Sequence, residues 1–184
     1  TQENGGVFSM GKFDGVFGMG RKALASILQK PGDPPNRADP FYINAINQHL
    51  LKAPLFSFYV SKGITKPGAV ILGGTNSKLY KGPIHWHQGK SDAYWLTDVH
   101  RVGIKNGEEE LVSVETHSGV EEFGPTGVRA IADSGTSLMV GPHSVINPLL
   151  PHVTALSDCS NMNQLKTVFL EMKDTKGKTV TYHL

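Results

Sequence analysis

The residues best suited to chemistry lie in one stretch, Val128-Arg129-Ala130-Ile131-Ala132-Asp133-Ser134-Gly135-Thr136-Ser137-Leu138-Met139-Val140-Gly141-Pro142. An apolar strand runs into Asp-Ser-Gly-Thr-Ser and leaves through a second apolar run, which predicts a carboxylate at a turn between two buried strands. A charge so placed needs partners. Ser134, Thr136 and Ser137 offer hydroxyls, and Gly135 permits a backbone approach that a side chain would obstruct. A held carboxylate of this kind can act as a general acid or base. A generic Asp-Ser-Gly is more often a polar turn whose Asp caps its own loop, but five residues in this order between two apolar runs are far more specific.

Other candidates are weaker. His85-Trp86-His87 puts two imidazoles on one face of an expected strand at a spacing able to bind metal, but no Cys or carboxylate adjoins them as a third ligand. Solvent-facing histidines beside an inward Trp86 is the simpler reading, and no metal is expected. Glu108-Glu109-Glu110 and Glu121-Glu122 read as solvated turn charges, because paired glycosidase acids need apolar tuning. Ser137 is not a serine-hydrolase nucleophile, since Gly135-Thr136-Ser137 is followed by Leu138-Met139 rather than x-Gly. Phe13-Asp14-Gly15-Val16-Phe17-Gly18-Met19-Gly20 could suggest phosphate binding, but no strand-helix-strand unit or suitable Lys accompanies it. Tyr94-Trp95 is most economically core.

The elements that must position Asp133 are short. Arg21 to Lys30 has Leu24, Ile27 and Leu28 at helical spacing, with Pro31-Gly32 as the stop. Asp39-Pro40 resembles an N-cap followed by Pro at the first helical position, ahead of Tyr42, Ile43, Ile46 and Leu50. Beyond Pro54 the pattern predicts strands over Leu55 to Val60, Ala69 to Gly73, Pro83 to His87, Tyr94 to Val102, Glu110 to Thr116, Val128 to Ala132, and a hairpin of Val168 to Met172 with Thr179 to His183. The expectation is a mostly β protein with two short helices. With 39% hydrophobic and 18% charged residues, 21 Gly and 11 Pro, the composition excludes disorder. A net charge of +2 with dispersed Lys and Arg excludes the basic stripe needed for nucleic acid. No apolar run approaches the roughly 20 residues that cross a bilayer, and Thr1-Gln2-Glu3-Asn4-Gly5-Gly6 is unlike a signal peptide, so the chain is expected to be soluble as it stands. The single cysteine, Cys159, has no partner within the sequence.

The Asp-Ser-Gly-Thr-Ser loop resembles the catalytic loops of the pepsin and cathepsin D family of aspartic proteases. Further segments follow in that family's order: Phe13 to Gly20, Leu55-Phe56-Ser57-Phe58-Tyr59-Val60, Leu72-Gly73-Gly74 through Lys81-Gly82, and Ala93-Tyr94-Trp95. The resemblance implies part of a bilobal fold in which each lobe supplies one Asp. Residues 1–81 would be the end of the N-terminal lobe with its central-sheet segment, and 82–184 most of the C-terminal lobe. It implies an endopeptidase acting on polypeptides at acidic pH through a water held between two Asp, with no cofactor. Asp133 would be the second Asp, Ser134, Gly135, Thr136 and Ser137 its supporting loop, and Tyr94 and Ile131 neighbours of the primed side of the cleft.

The first Asp loop is expected to precede Thr1, so the chain alone is expected to be inactive, its partners being the polypeptide substrate and the missing lobe, with self-association of the fragment as a further possibility. The location implied is the secretory route, ending in a lysosome-like or vacuole-like compartment or outside the cell. The alternative is a non-catalytic peptide-binding pseudoprotease. Departures from the family are Ser134 in place of the commoner Thr, no Cys between Val114 and Arg129 for the family's small disulfide loop, and Pro148 and Pro151 within its usual helix after the loop. Cys159 falls where relatives have one half of a disulfide.

Overall fold

The computed structural model describes residues 15–24, 39–61 and 67–184. The chain divides into two units, Thr1–Lys81 and Gly82–Leu184. Most of the helix expected over Arg21 to Lys30 lies outside the described residues, which include only a 3-10 turn, Lys22–Leu24.

In the first unit, helix α1 (Phe41–Asn47) buries Tyr42 and Ala45. Asp39 does not cap it. The helix starts one residue later than expected, since Pro40 keeps an extended ψ of 151 and stands at the cap position, and the Asp39 carboxylate lies 2.7 Å from Lys22 Nζ. Its far end closes with His49 in the left-handed region (φ 56) and bonds from His49 N to Ile46 O and Leu50 N to Ala45 O, both 2.9 Å, so Leu50 falls outside the helix. Strands β1 (Phe56–Tyr59) and β2 (Ala69–Leu72) pair antiparallel, Phe56 opposite Leu72. The Tyr42 and Phe56 rings, 5.1 Å apart, join helix to hairpin.

The second unit holds β3 (Leu96–Asp98), β4 (Arg101–Asn106), β5 (Glu109–Glu115), β6 (Arg129–Ile131), β7 (Thr167–Lys173) and β8 (Thr179–His183). Four of these form one antiparallel sheet, ordered β5-β4-β7-β8, while β3 and β6 make a separate ribbon. Asn106-Gly107, with φ 63 at the glycine, turns β4 into β5. In the β7–β8 turn Asp174 Oδ1 accepts from Lys176 N and Lys178 N, each at 2.9 Å.

Alternation along β4 sorts the two faces of the sheet. Val102 and Ile104 pack with Val168, Met172, Val145 and Leu149, the last two from the region of helices α2 (His143–Ile146) and α3 (Leu150–Val153). On the other face Phe169 is fully buried beneath Arg101 and Lys105, whose charges lie 5.1 and 5.4 Å from its ring. Gly103 makes that possible, since a Cβ there would sit 2.5 Å from the Phe169 ring. Arg101 in turn binds Glu171 and Glu110 through paired contacts of 2.9 to 3.0 Å.

The mostly β expectation holds, with three short α-helices among the described residues where two were expected. Three details differ. Tyr94 to Val102 is not one strand: the chain breaks at Val99-His100 and sends β3 and β4 into different sheets. Pro83 to His87 forms only an isolated bridge, His87 with Asp174. The side chains around it are reversed from expectation. Trp86 is 56% exposed, whereas the His87 imidazole docks on the β7–β8 hairpin, its Nδ1 2.8 Å from Lys173 O and its Nε2 2.6 Å from Tyr182 Oη. The hairpin offers that ring two polar partners, and this decides which side chain turns inward. The helical run is divided into α2 and α3, with Pro148 in the turn between them and Pro151 in the first turn of α3, where its missing N–H costs no helical bond.

Candidate active site

Asp133 stands two residues beyond β6, at the end of a ribbon with Leu96 opposite Ile131, Thr97 opposite Ala130 and Asp98 opposite Arg129. One further bond, Ala132 N to Trp95 O at 3.0 Å, carries the pairing to the residue before the carboxylate. Asp98 braces the other end of the ribbon, with Lys90 at 2.8 Å and Arg129 at 3.2 Å.

The carboxylate is held locally. Thr136 Oγ1 donates to Oδ2 at 2.6 Å and Gly135 N donates to Oδ1 at 2.9 Å, while Thr136 N approaches Asp133 O at 3.3 Å. A Cβ on Gly135 would stand 3.2 Å from Oδ1, tight enough to disturb that bond. The Thr136 hydroxyl, followed by the Gly135 amide, lowers the Asp133 pKa below the ordinary aspartate value, since both donors favour the charged form. Of the three hydroxyls expected to serve the charge, only that of Thr136 does so. Ser134 and Ser137 are exposed and donate no hydrogen bond to it.

The surroundings differ from the expected turn between two buried strands. Every residue from Ile131 to Pro142 is exposed, including Leu138 (79%) and Val140 (85%). The second apolar run forms no strand because no segment among the described residues pairs with it. Tyr94 and Trp95, expected in the core, are also exposed large aromatics, and Tyr94 and Ile131 stand at the same end of the ribbon as Asp133. No group of three His, Cys, Asp or Glu able to hold a metal occurs among the described residues.

Sequence reasoning missed what supports the ribbon at its base. Thr116, the one buried polar residue among those described, follows β5 and bonds through its hydroxyl to Val99 O at 2.8 Å. A Thr at the end of a strand carries no local signal of such a bond.

The family model described as "Eukaryotic aspartyl protease" matches residues 1–182. Similar proteins include plasmepsin VI of Plasmodium berghei (strain Anka), 30% identical over 94% of this chain and 36% of its own length, and chymosin of Bos taurus, 31% identical over 94% of this chain and 41% of its own. Cathepsin D of Mus musculus is 31% identical over 100% of this chain and 41% of its own length. The chain thus spans about two fifths of the length of these relatives. With its Asp-Ser-Gly-Thr-Ser loop set at the end of a β ribbon and a family match running almost from end to end, the chain belongs to the eukaryotic aspartyl protease family.

Proposed function

We propose that this chain is the portion of a pepsin-like aspartic endopeptidase that supplies the second catalytic aspartate, Asp133. Residues 1–81 are then the end of the first lobe with its central-sheet segment, and 82–184 most of the second lobe. The observation that carries the reading is the grip on Asp133: one hydroxyl at 2.6 Å and one amide at 2.9 Å orient an exposed carboxylate at the end of a paired strand. Both donors leave the carboxylate an outward approach for a water and a partner acid.

In the full-length protein a second Asp lies across from Asp133 with a water between them. Two carboxylates a few ångströms apart resist double ionisation, so they share one proton and their titrations belong to the pair. The charged member takes a proton from the water as it attacks the peptide carbonyl carbon, and the protonated member donates to the carbonyl oxygen, giving a tetrahedral intermediate. In the collapse of that intermediate the carboxyl carrying the water's proton returns it to the leaving amine as the C–N bond breaks, while the other carboxylate takes a proton from one hydroxyl of the intermediate, which restores the shared-proton pair. Thr136 and Gly135 keep Asp133 aimed during these transfers. Ser134 and Ser137 complete the loop, and Tyr94 and Ile131 border the primed side of the cleft.

The shared proton suits an acidic compartment on the secretory route or an acidic extracellular space, and the substrates are extended polypeptides with apolar side chains at the cut. This span alone is inactive, because a lone carboxylate cannot deprotonate the water while a second, protonated carboxyl activates the carbonyl oxygen.

The test is Asp133→Asn in the full-length protein. Acid cleavage of an unfolded protein substrate should fall to well below about a tenth of wild type while the melting temperature stays nearly unchanged, the two side chains being close in size. Retention of a tenth or more of the activity rejects the assignment, whereas a wild-type full-length protein that binds the unfolded substrate but does not cleave it favours a module that binds peptide without cutting it.

A further inference from the structure

The ribbon that carries Asp133 has little burial of its own. Its tip is exposed, and the fully or nearly fully buried groups that touch it, Val99 and Thr116, lie at its base. There the backbone closes a ring. Thr116 Oγ1 donates to Val99 O at 2.8 Å, Val99 N donates to Val128 O at 3.1 Å, and Val128 N donates to Thr116 O at 2.6 Å. Thr116 N also donates to His100 O at 2.8 Å, fixing the same residue to the start of β4. Gly127 completes the fit from the opposite side: its φ is 62, and a Cβ there would fall 2.5 Å from Ser118 N and 2.7 Å from Thr116 O. Three chain segments far apart in sequence therefore meet at one threonine.

We propose that Thr116 is a positioning residue for Asp133, its hydroxyl locking the Val99–Thr116–Val128 ring that sets the direction in which β6 presents the carboxylate. The inference rests on Asp133 being catalytic. From Val128 to Asp133 the extended chain reaches about 17 Å. Over that lever a swing of roughly 5° at the ring moves the carboxylate by about 1.5 Å, and a misplacement near 1 Å can cost on the order of 100-fold in rate. The Thr136 and Gly135 bonds travel with Asp133 and cannot correct such a swing, since all three residues belong to the same loop. Tyr94 and Ile131 ride on the same ribbon and keep their place beside Asp133, so the contacts they offer a bound peptide change less than the alignment of the reacting groups.

The experiment compares Thr116→Val, Thr116→Ser and Gly127→Ala in the full-length protein, using a fluorogenic peptide with apolar residues at the cut and counting competent sites with a tight transition-state analogue. Thr116→Val keeps the shape and loses the hydroxyl, so kcat per competent molecule should fall by about 10- to 100-fold with KM within about twofold, and Thr116→Ser should restore kcat to within about twofold of wild type. Gly127→Ala, which pries the ring from its other side, should reproduce the kcat loss and serves if Thr116→Val fails to fold. A lowered melting temperature with unchanged kcat in whichever variant folds overturns the proposal, because a merely structural threonine would give that result. Asp133→Asn run alongside separates the two ideas. If that variant stays active, the catalytic reading fails; if it is dead while the ring variants keep full kcat, only the positioning role fails.

Discussion

The four-stranded sheet and the β3–β6 ribbon are both antiparallel, yet they are held by different forces. The sheet encloses Ile104 and Phe169 away from all solvent and caps the second of these with Arg101, Glu110 and Glu171. The ribbon pairs three residues with three, ends in an exposed loop, and is tied at its base by hydrogen bonds through Thr116. Burial is non-directional and supplies most of the stability; hydrogen bonds are directional and fix geometry. The difference teaches that stability and the aim of Asp133 should respond to different substitutions.

The largest expected effect lies in the sheet. Phe169→Ala removes a fully buried ring beneath two cationic side chains and should lower the unfolding free energy by about 3–5 kcal/mol, measured by urea titration. A loss under about 1 kcal/mol would mean that the sheet does not depend on this burial.

A smaller effect sits at the junction of the two regions. The His100 pKa is lowered, first by burial, then by Lys173 and by His117, whose ring lies 6.0 Å away, against the opposing pull of Asp98 and Glu115. A histidine depressed in the folded state is held neutral there. Its contribution is fully present above the unfolded value of about 6.5 and is lost as the pH falls through the lower folded value. Melting temperature should therefore decline on acidification below about pH 6.5, and His100→Gln should flatten that decline. An identical slope in the variant would remove His100 as its source. The carboxylates Asp98 and Glu171, also depressed, act in a separate and more acidic window.

The smallest effect is local to the ribbon tip. Thr136→Val removes the first cause of the lowered Asp133 pKa and should raise that pKa toward the ordinary aspartate value with almost no change in melting temperature. Carbon-13 NMR titration of the Asp133 carboxyl, in full-length protein whose partner Asp is replaced by Asn so that no second carboxyl shares the proton, reads the shift directly. An unmoved titration would show that the 2.6 Å contact does not bias the charge.

Much of the second unit was legible from residue order. Turns announce themselves by local chemistry, as at Asn106-Gly107 and in the Asp174 loop, and the hairpin over Val168 to Met172 and Thr179 to His183 matches β7 and β8 to within a residue. For Asp133 the sequence offered three nearby hydroxyls and a glycine that lets the backbone approach, and the structure selected Thr136 and the Gly135 amide among them. Alternating apolar patterns say only that a segment is extended, so Tyr94 to Val102 read as one strand although its two halves enter different sheets.

The sequence by itself determined the strand-rich class, the turns and the short loop from which the donors to Asp133 come, because each rests on interactions between near neighbours. Tertiary structure alone decided that His87 turns inward and Trp86 outward, that Leu138 to Val140 stay exposed, and that Thr116 reaches Val99 across 17 residues. Those outcomes depend on which distant segment supplies a hydrogen-bond partner or a covering surface, and a one-dimensional pattern carries no record of that pairing.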